Sequence, residues 1–147
     1  MNENLKLFKI EVKGAIGVFT EIRLQTKKQE EFIPITKTIR DVVKNSGTKD
    51  GIAIIQIPHT TAGITINESA DPDVVNDIAR MLNVMVPNRF DYLHQEGNSP
   101  AHIKASLLGS SVLLIIKEGD LMLGTWQGVF FCEFDGPRSR KIWVKTI

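Results

Sequence analysis

A chain of 147 residues, 42% hydrophobic and 24% charged, is long enough to bury one real core without disulfides to hold it. Its formal net charge of +1 offers no field to draw it to nucleic acid or to a membrane, and no apolar run approaches the roughly 18 residues of a membrane span. The opening MNENLKLFKIEVKG lacks the apolar run of a secretory leader and the single cysteine excludes an internal disulfide, so a cytoplasmic protein is expected.

Residues 5–12 and 18–25 read as two strands, split by a turn around Gly14 and Gly17. In the second, Val18, Thr20, Ile22 and Leu24 alternate with Phe19, Glu21, Arg23 and Gln25, as in a strand with one face partly wet. Residues 32–45 read as a helix, with Ile35, Ile39, Val42 and Val43 at three–four spacing and Gly47 as its stop. GIAIIQIP, from Gly51, is short and apolar on both faces, the pattern of a fully buried strand. A shorter strand, 64–67, follows the HTTAG turn. Asp71 caps the next helix and Pro72 takes its first position. Val74, Val75, Ile78, Met81, Leu82 and Met85 form its apolar stripe, and Pro87 ends it.

Ser99-Pro100 repeats that start signal, so 100–108 should be a short helix capped by Ser99 and closed by Gly109. Residues 111–116 are a second doubly apolar strand. Gly119-Asp120 turns the chain into one regular strand over 121–134, and DGPR turns it into a last strand, 141–145. The expected fold is a single α+β domain, mostly antiparallel sheet in a sandwich, with about three helices. Three helices cannot cover both faces of that much sheet. The remaining apolar faces must meet a second sheet or another copy of the chain, so a homo-oligomer is expected.

Polar residues gather in three places. PHTTAGITINES carries His59 and Glu68. HQEGNSPAHIK carries His94, Glu96, Asn98, Ser99, His102 and Lys104. GTWQGVFFCEFDGPRSR carries Gln127, Glu133, Asp135, Arg138 and Arg140. All three histidines of the chain lie in these clusters, and two chemistries suit them. Imidazole is the commonest metal ligand, so His59, His94 and His102 could together hold zinc with one position open. They could equally move protons as general acids and bases. A lone histidine near a strand end is more often an ordinary hydrogen-bonded residue. The seven residues between His94 and His102 match no standard zinc spacing.

The helix start at Asn98-Ser99-Pro100 would favour an anion, most naturally a phosphate, with Lys104 one turn on. Arg138 and Arg140 could grip phosphate bidentately, although pairing with surface acids is the default for either. In a regular strand Trp126 would share a face with Phe130, Cys132 and Phe134, with Thr125, Gln127 and Glu133 opposite. Cys132 then reads as a packed core thiol.

HTTAGITINE, HQEGNSPAHIKASLLGSS and GDLMLGTWQGVFFCEFDGPRSR resemble the YjbQ-type family, long uncharacterised. Its signature is a serine-led apolar strand, a glycine, four residues and then Gly-Thr-Trp-Gln, matched here from Ser111 through Gly119 to Gly124-Thr125-Trp126-Gln127. The resemblance spans about 51–144 and implies a homotrimeric α+β protein with weak or secondary thiamine-phosphate synthase activity. That transferase joins a hydroxymethylpyrimidine diphosphate to a thiazole phosphate and releases diphosphate, usually with a divalent metal, zinc or magnesium here. On that reading His59, His94, His102, Glu96 and Glu68 hold the metal or move protons. Asn98, Ser99, Lys104, Gln127 and Arg138 receive phosphate. A non-catalytic phosphometabolite-binding protein and a metal-dependent hydrolase are the alternatives.

Overall fold

Strand pairing in the computed structural model, which describes residues 5–10 and 16–147, is antiparallel throughout and divides between two sheets. In chain order the elements are β1 (Leu5–Ile10), β2 (Val18–Gln25), β3 (Glu31–Pro34), α1 (Thr36–Ser46), β4 (Gly51–Gln56), β5 (Ala62–Glu68) and α2 (Pro72–Met85). Then follow α3 (Ser99–Leu108), β6 (Ser111–Lys117), β7 (Asp120–Leu121), β8 (Gln127–Glu133) and β9 (Ser139–Thr146). One sheet runs β1-β2-β9-β4-β6-β7 and the other β3-β8-β5. The expected α+β class and three helices are present. Residues 11–12 of the first expected strand, and Gly14 of its turn, lie outside the described residues. No helix among the described residues is long and apolar enough to cross a membrane.

The core sits between the sheets. Ile22, Leu24, Ala53, Ile55, Leu114, Ile116, Ile142 and Val144 from the large sheet meet Ile64, Val129 and Phe131 from the small one. Ile39, Val42 and Val43 of α1 pack into the same cluster. A second cluster lies on the other side of the small sheet, where Phe130, Cys132 and Phe134 pack beneath Leu82 of α2 and Ala101 and Ala105 of α3. β8 is thus the strand buried on both faces. Each Phe or Val side chain removed from water there contributes about 1.5–3 kcal/mol.

Four sequence expectations are corrected. The helix over 32–45 begins only at Thr36, because 31–34 pair with β8 as an edge strand. Pro34 suits the end of such a strand and holds the residue before it in extended backbone. The single strand over 121–134 is broken: Gly124-Thr125-Trp126 form a turn that carries the chain from the large sheet to the small one. Trp126 is therefore 63% exposed rather than aligned with Phe130, Cys132 and Phe134. In α2 only Leu82 is buried, while Met81 and Met85 face outward. β4 and β6 bury their inner faces alone, leaving Leu113 and Ile115 each 59% exposed on the outer face.

Gly63 and Gly128 set two close approaches. A Cβ on Gly63 would stand 3.0 Å from the Gly109 carbonyl oxygen, which accepts the Ile64 N–H, so a small residue lets the end of α3 lie on β5. A Cβ on Gly128 would stand 2.6 Å from Ser69 Cβ.

Candidate functional site

β4 leaves the large sheet at Gln56, paired with Trp143, and Pro58 prevents the ladder from continuing. The Lys141 N–H on β9, beyond that last pair, is taken up by an imidazole: it donates to His59 Nε2 at 2.8 Å. His59 is half-buried. Burial pushes its pKa below the ordinary histidine value, the Arg140 guanidinium pushes it the same way, and Glu133 opposes them.

Behind His59 lies an ion pair missed at the sequence level. Arg140 Nε donates to Glu133 Oε2 at 2.7 Å, and its Nη2 donates to Glu133 Oε1 at 2.5 Å and to Thr61 Oγ1 at 2.8 Å. Glu133 also accepts from the Thr26 hydroxyl and from the Phe134 and Asp135 N–H groups, each at 3.0 Å. Both charged residues are buried. Arg140 is thus no surface partner or phosphate clamp. A glutamate inside the apolar run GVFFCEF was the available signal, because a buried carboxylate requires a cation.

The 57–60 segment and α3 flank an open cavity of about 510 Å³ lined by His59, Thr60, His102, Ser106 and Ser110 over an apolar floor. His102 and Ser106, four residues apart, share one face of α3. On its other side His102 borders a hollow of about 330 Å³ together with Tyr92, His94, Ser99 and Ile103. The His94 and His102 rings meet edge to face, centroids 5.4 Å apart and planes at 82°. His94 Nε2 lies 3.7 Å from Glu96 Oε2. His102 therefore borders both hollows, with His59 on one side and His94 on the other.

They do not form a metal set within one chain. Among the described residues, no three His, Cys, Asp or Glu side chains come together closely enough to hold an ion. The lone pair of His59 Nε2 is also taken by Lys141. The described residues of one chain therefore do not supply the three-histidine set expected for zinc.

The remaining candidates divide. Asn98, not Ser99, holds the cap position of α3, and no side chain caps the helix. Asn98 Nδ2 donates to Asp135 Oδ2 at 3.1 Å, and Arg138 Nη2 donates to the same oxygen at 2.8 Å. Asp135 and Glu96 line the hollow beside that helix start, so carboxylates oppose an anion there, and Arg138 already has its partner. Lys104 is fully buried, its Nζ donating to Glu30 Oε1 and Asn83 Oδ1 at 2.6 Å each. It clamps α3 to α2 and to the β2–β3 connection, and its charge does not reach the groove.

Glu68 and Gln127 pair with each other at one end of the small sheet, whereas Ala62 and Glu133 pair at the other. Six residues of strand separate the two ends, about 20 Å. Neither residue joins the histidine groove of its own chain. Gln127 Oε1 instead accepts the Gly124 N–H at 2.8 Å and fixes the exposed turn. Thr60, Ser106 and Ser110 were missed in the sequence because isolated hydroxyls in loops and helix ends carry no pattern.

Fold and cavity together define an α+β domain with an open hollow where a helix lies against a sheet edge. The chain belongs to the family described as UPF0047 protein YjbQ-like, whose model matches residues 20–147. It is 52% identical to a UPF0047 protein of Methanocaldococcus jannaschii over 132 residues, 90% of this chain and 96% of that one. It is 46% identical to the UPF0047 protein YugU of Bacillus subtilis, over 86% of this chain and 96% of that one. A crystal structure of a YjbQ/UPF0047 protein from Clostridium acetobutylicum superposes with a TM-score of 0.85 at 57% identity, covering 86% of this chain and 98% of that one. A YbjQ-like protein of unknown function from Sulfolobus solfataricus gives a TM-score of 0.84 at 32% identity over 97% of both chains.

Proposed function

We propose that this chain binds a small phosphorylated metabolite in the groove between the 57–60 segment and α3, and turns it over weakly with His102 and His94 moving the proton. The observation that carries this reading is the cavity of about 510 Å³, a size suited to a metabolite, lined by His59, His102 and three hydroxyl side chains. Among the described residues no carboxylate lines it. Hydroxyl and imidazole donors without competing carboxylates suit phosphate oxygens. Thiamine-phosphate synthesis, the reaction implied by the YjbQ-type resemblance, is compatible as a side activity, since its diphosphate leaving group needs such donors. A metal-dependent hydrolase is the weaker reading, because one chain does not assemble a metal set.

Titration calorimetry with pyrophosphate and with thiamine phosphate tests this directly. Binding should occur, weaken at least roughly tenfold in His102→Ala, and persist unchanged in Lys104→Met. A wild-type protein that takes up neither compound at millimolar concentration refutes the reading. Incubation with hydroxymethylpyrimidine diphosphate and thiazole phosphate then separates slow turnover from binding alone.

The working unit is proposed to be a homotrimer. Exposed Leu113 and Ile115 on the outer face of the large sheet, and Met81 and Met85 on α2, support assembly through apolar faces that one chain leaves uncovered. Light scattering at micromolar concentration that returns a monomer mass removes this part of the proposal.

A further inference from the structure

His59 has two nitrogens with different duties. Its Nε2 accepts the Lys141 N–H at 2.8 Å and closes the ladder where β4 stops. An accepting Nε2 carries no proton, so in the neutral ring the proton sits on Nδ1. Nδ1 has no hydrogen-bond partner among the described residues. It is also absent from the buried unpartnered atoms, while the ring itself lines the cavity shared with His102, Thr60, Ser106 and Ser110. The free donor is therefore accessible. The two cations nearest in chain and charge to the ring are each paired, Arg140 with Glu133 and Lys141 with Glu21, so the donor to an incoming oxygen is the Nδ1–H itself.

Resting on the phosphometabolite reading of this groove, we propose that His59 is its fixed-tautomer donor: Nδ1–H holds an oxygen of the ligand's phosphate group while Nε2 stays bound to the β9 backbone. The role excludes His59 from both other duties considered for it. It is not a metal ligand through Nε2, whose lone pair is engaged. It is not the general base, because accepting a proton at Nε2 would set that nitrogen against the Lys141 N–H and break the bond that positions the ring. Proton transfer falls to His102 and its neighbour His94. The ligand end at His59 is the phosphoryl oxygen, and the end at His102 carries the group that gains or loses a proton.

The tautomer supplies a readout that a purely structural histidine would not. Imidazole ¹⁵N spectra of the full chain at neutral pH should place the His59 proton on Nδ1. Titration with inorganic phosphate should shift that Nδ1–H signal and leave Nε2 unprotonated to saturation. His59→Gln sets its amide near Nε2, keeps the contact with Lys141 and loses the donor, so phosphate should bind roughly tenfold or more weakly. His59→Asn sets its amide near Nδ1 and should retain more of the binding while losing the backbone contact.

His59→Gln that binds phosphate as tightly as the wild type, with His102 signals still shifting, overturns the role of His59 and leaves the groove reading standing. Phosphate that moves neither histidine overturns both. Should either variant fail to fold, the wild-type tautomer and its phosphate shift decide alone, and a proton found on Nε2 refutes the assignment.

Discussion

Removing Arg140 should be among the most damaging single changes in this chain. Glu133 is fully buried, and its two strongest contacts are the charge-assisted bonds from Arg140 at 2.5 and 2.7 Å. Arg140→Met replaces the guanidinium with an apolar chain of similar length and strands the carboxylate. Breaking a buried pair in this way costs about 3–5 kcal/mol. The Thr26 hydroxyl and two backbone N–H groups remain on Glu133, which moves the expectation toward the lower end. Loss of the Thr61 contact adds about 1 kcal/mol. The total is about 4 kcal/mol. With a urea slope of about 2 kcal/mol/M, the unfolding midpoint should fall by about 2 M.

Urea unfolding followed by far-UV circular dichroism, at one fixed protein concentration, measures this shift. The double variant Glu133→Leu with Arg140→Met should recover part of the loss, because no charge is then left buried. A single Arg140→Met variant that loses less than about 1 kcal/mol refutes the reasoning, since Glu133 would then be held adequately by Thr26 and the backbone alone.

Lys104→Met should cost about 1–3 kcal/mol and increase amide exchange along α2, because Glu30 and Asn83 lose the ammonium that joins them across α3; unchanged exchange in α2 counts against the clamp. Cys132 should resist a thiol reagent in the native protein and react only on unfolding, because burial between Phe130 and Phe134 pushes its thiol pKa upward. Rapid native labelling contradicts this. Acid should weaken the fold through His59, whose folded pKa lies below the unfolded value of about 6.5. That contribution is whole above about pH 6.5 and is lost as pH falls toward the folded pKa, since the unfolded chain takes up its proton first. Stability measured against pH should show this slope in the wild type and lose it in His59→Gln.

Local rules carried much of the secondary structure. Asp71-Pro72 announces α2, with Asp71 Oδ1 accepting the Asp73 N–H, and Gly109 closes α3 where expected. The alternation from Val18 to Leu24 placed Ile22 and Leu24 on the buried face. Such signals act through a few neighbouring residues, so they survive without tertiary context. The short turn at Gly124-Thr125-Trp126 defeated the same logic. A chain that changes sheets keeps its apolar composition, and only the pairing of β8 with β3 and β5 shows the break.

The candidate site divides along the same line. Residue types alone drew attention to His59, His94 and His102, and the helix carrying His102 was legible from Ser99-Pro100 and Gly109. Distance was not. Lys104 lies two residues beyond His102, yet the helix turns it inward onto Glu30 and Asn83, while His102 and Ser106 face the groove. Glu68 and Gln127 lie at the far end of a straight strand pair, which no composition reveals. The bond from Lys141 to His59 joins residues 82 positions apart. It exists because Pro58 ends one strand before its neighbour ends, leaving an N–H to be satisfied. Chemistry along a chain is local, but burial, partner choice and reach depend on which distant segments the fold brings alongside.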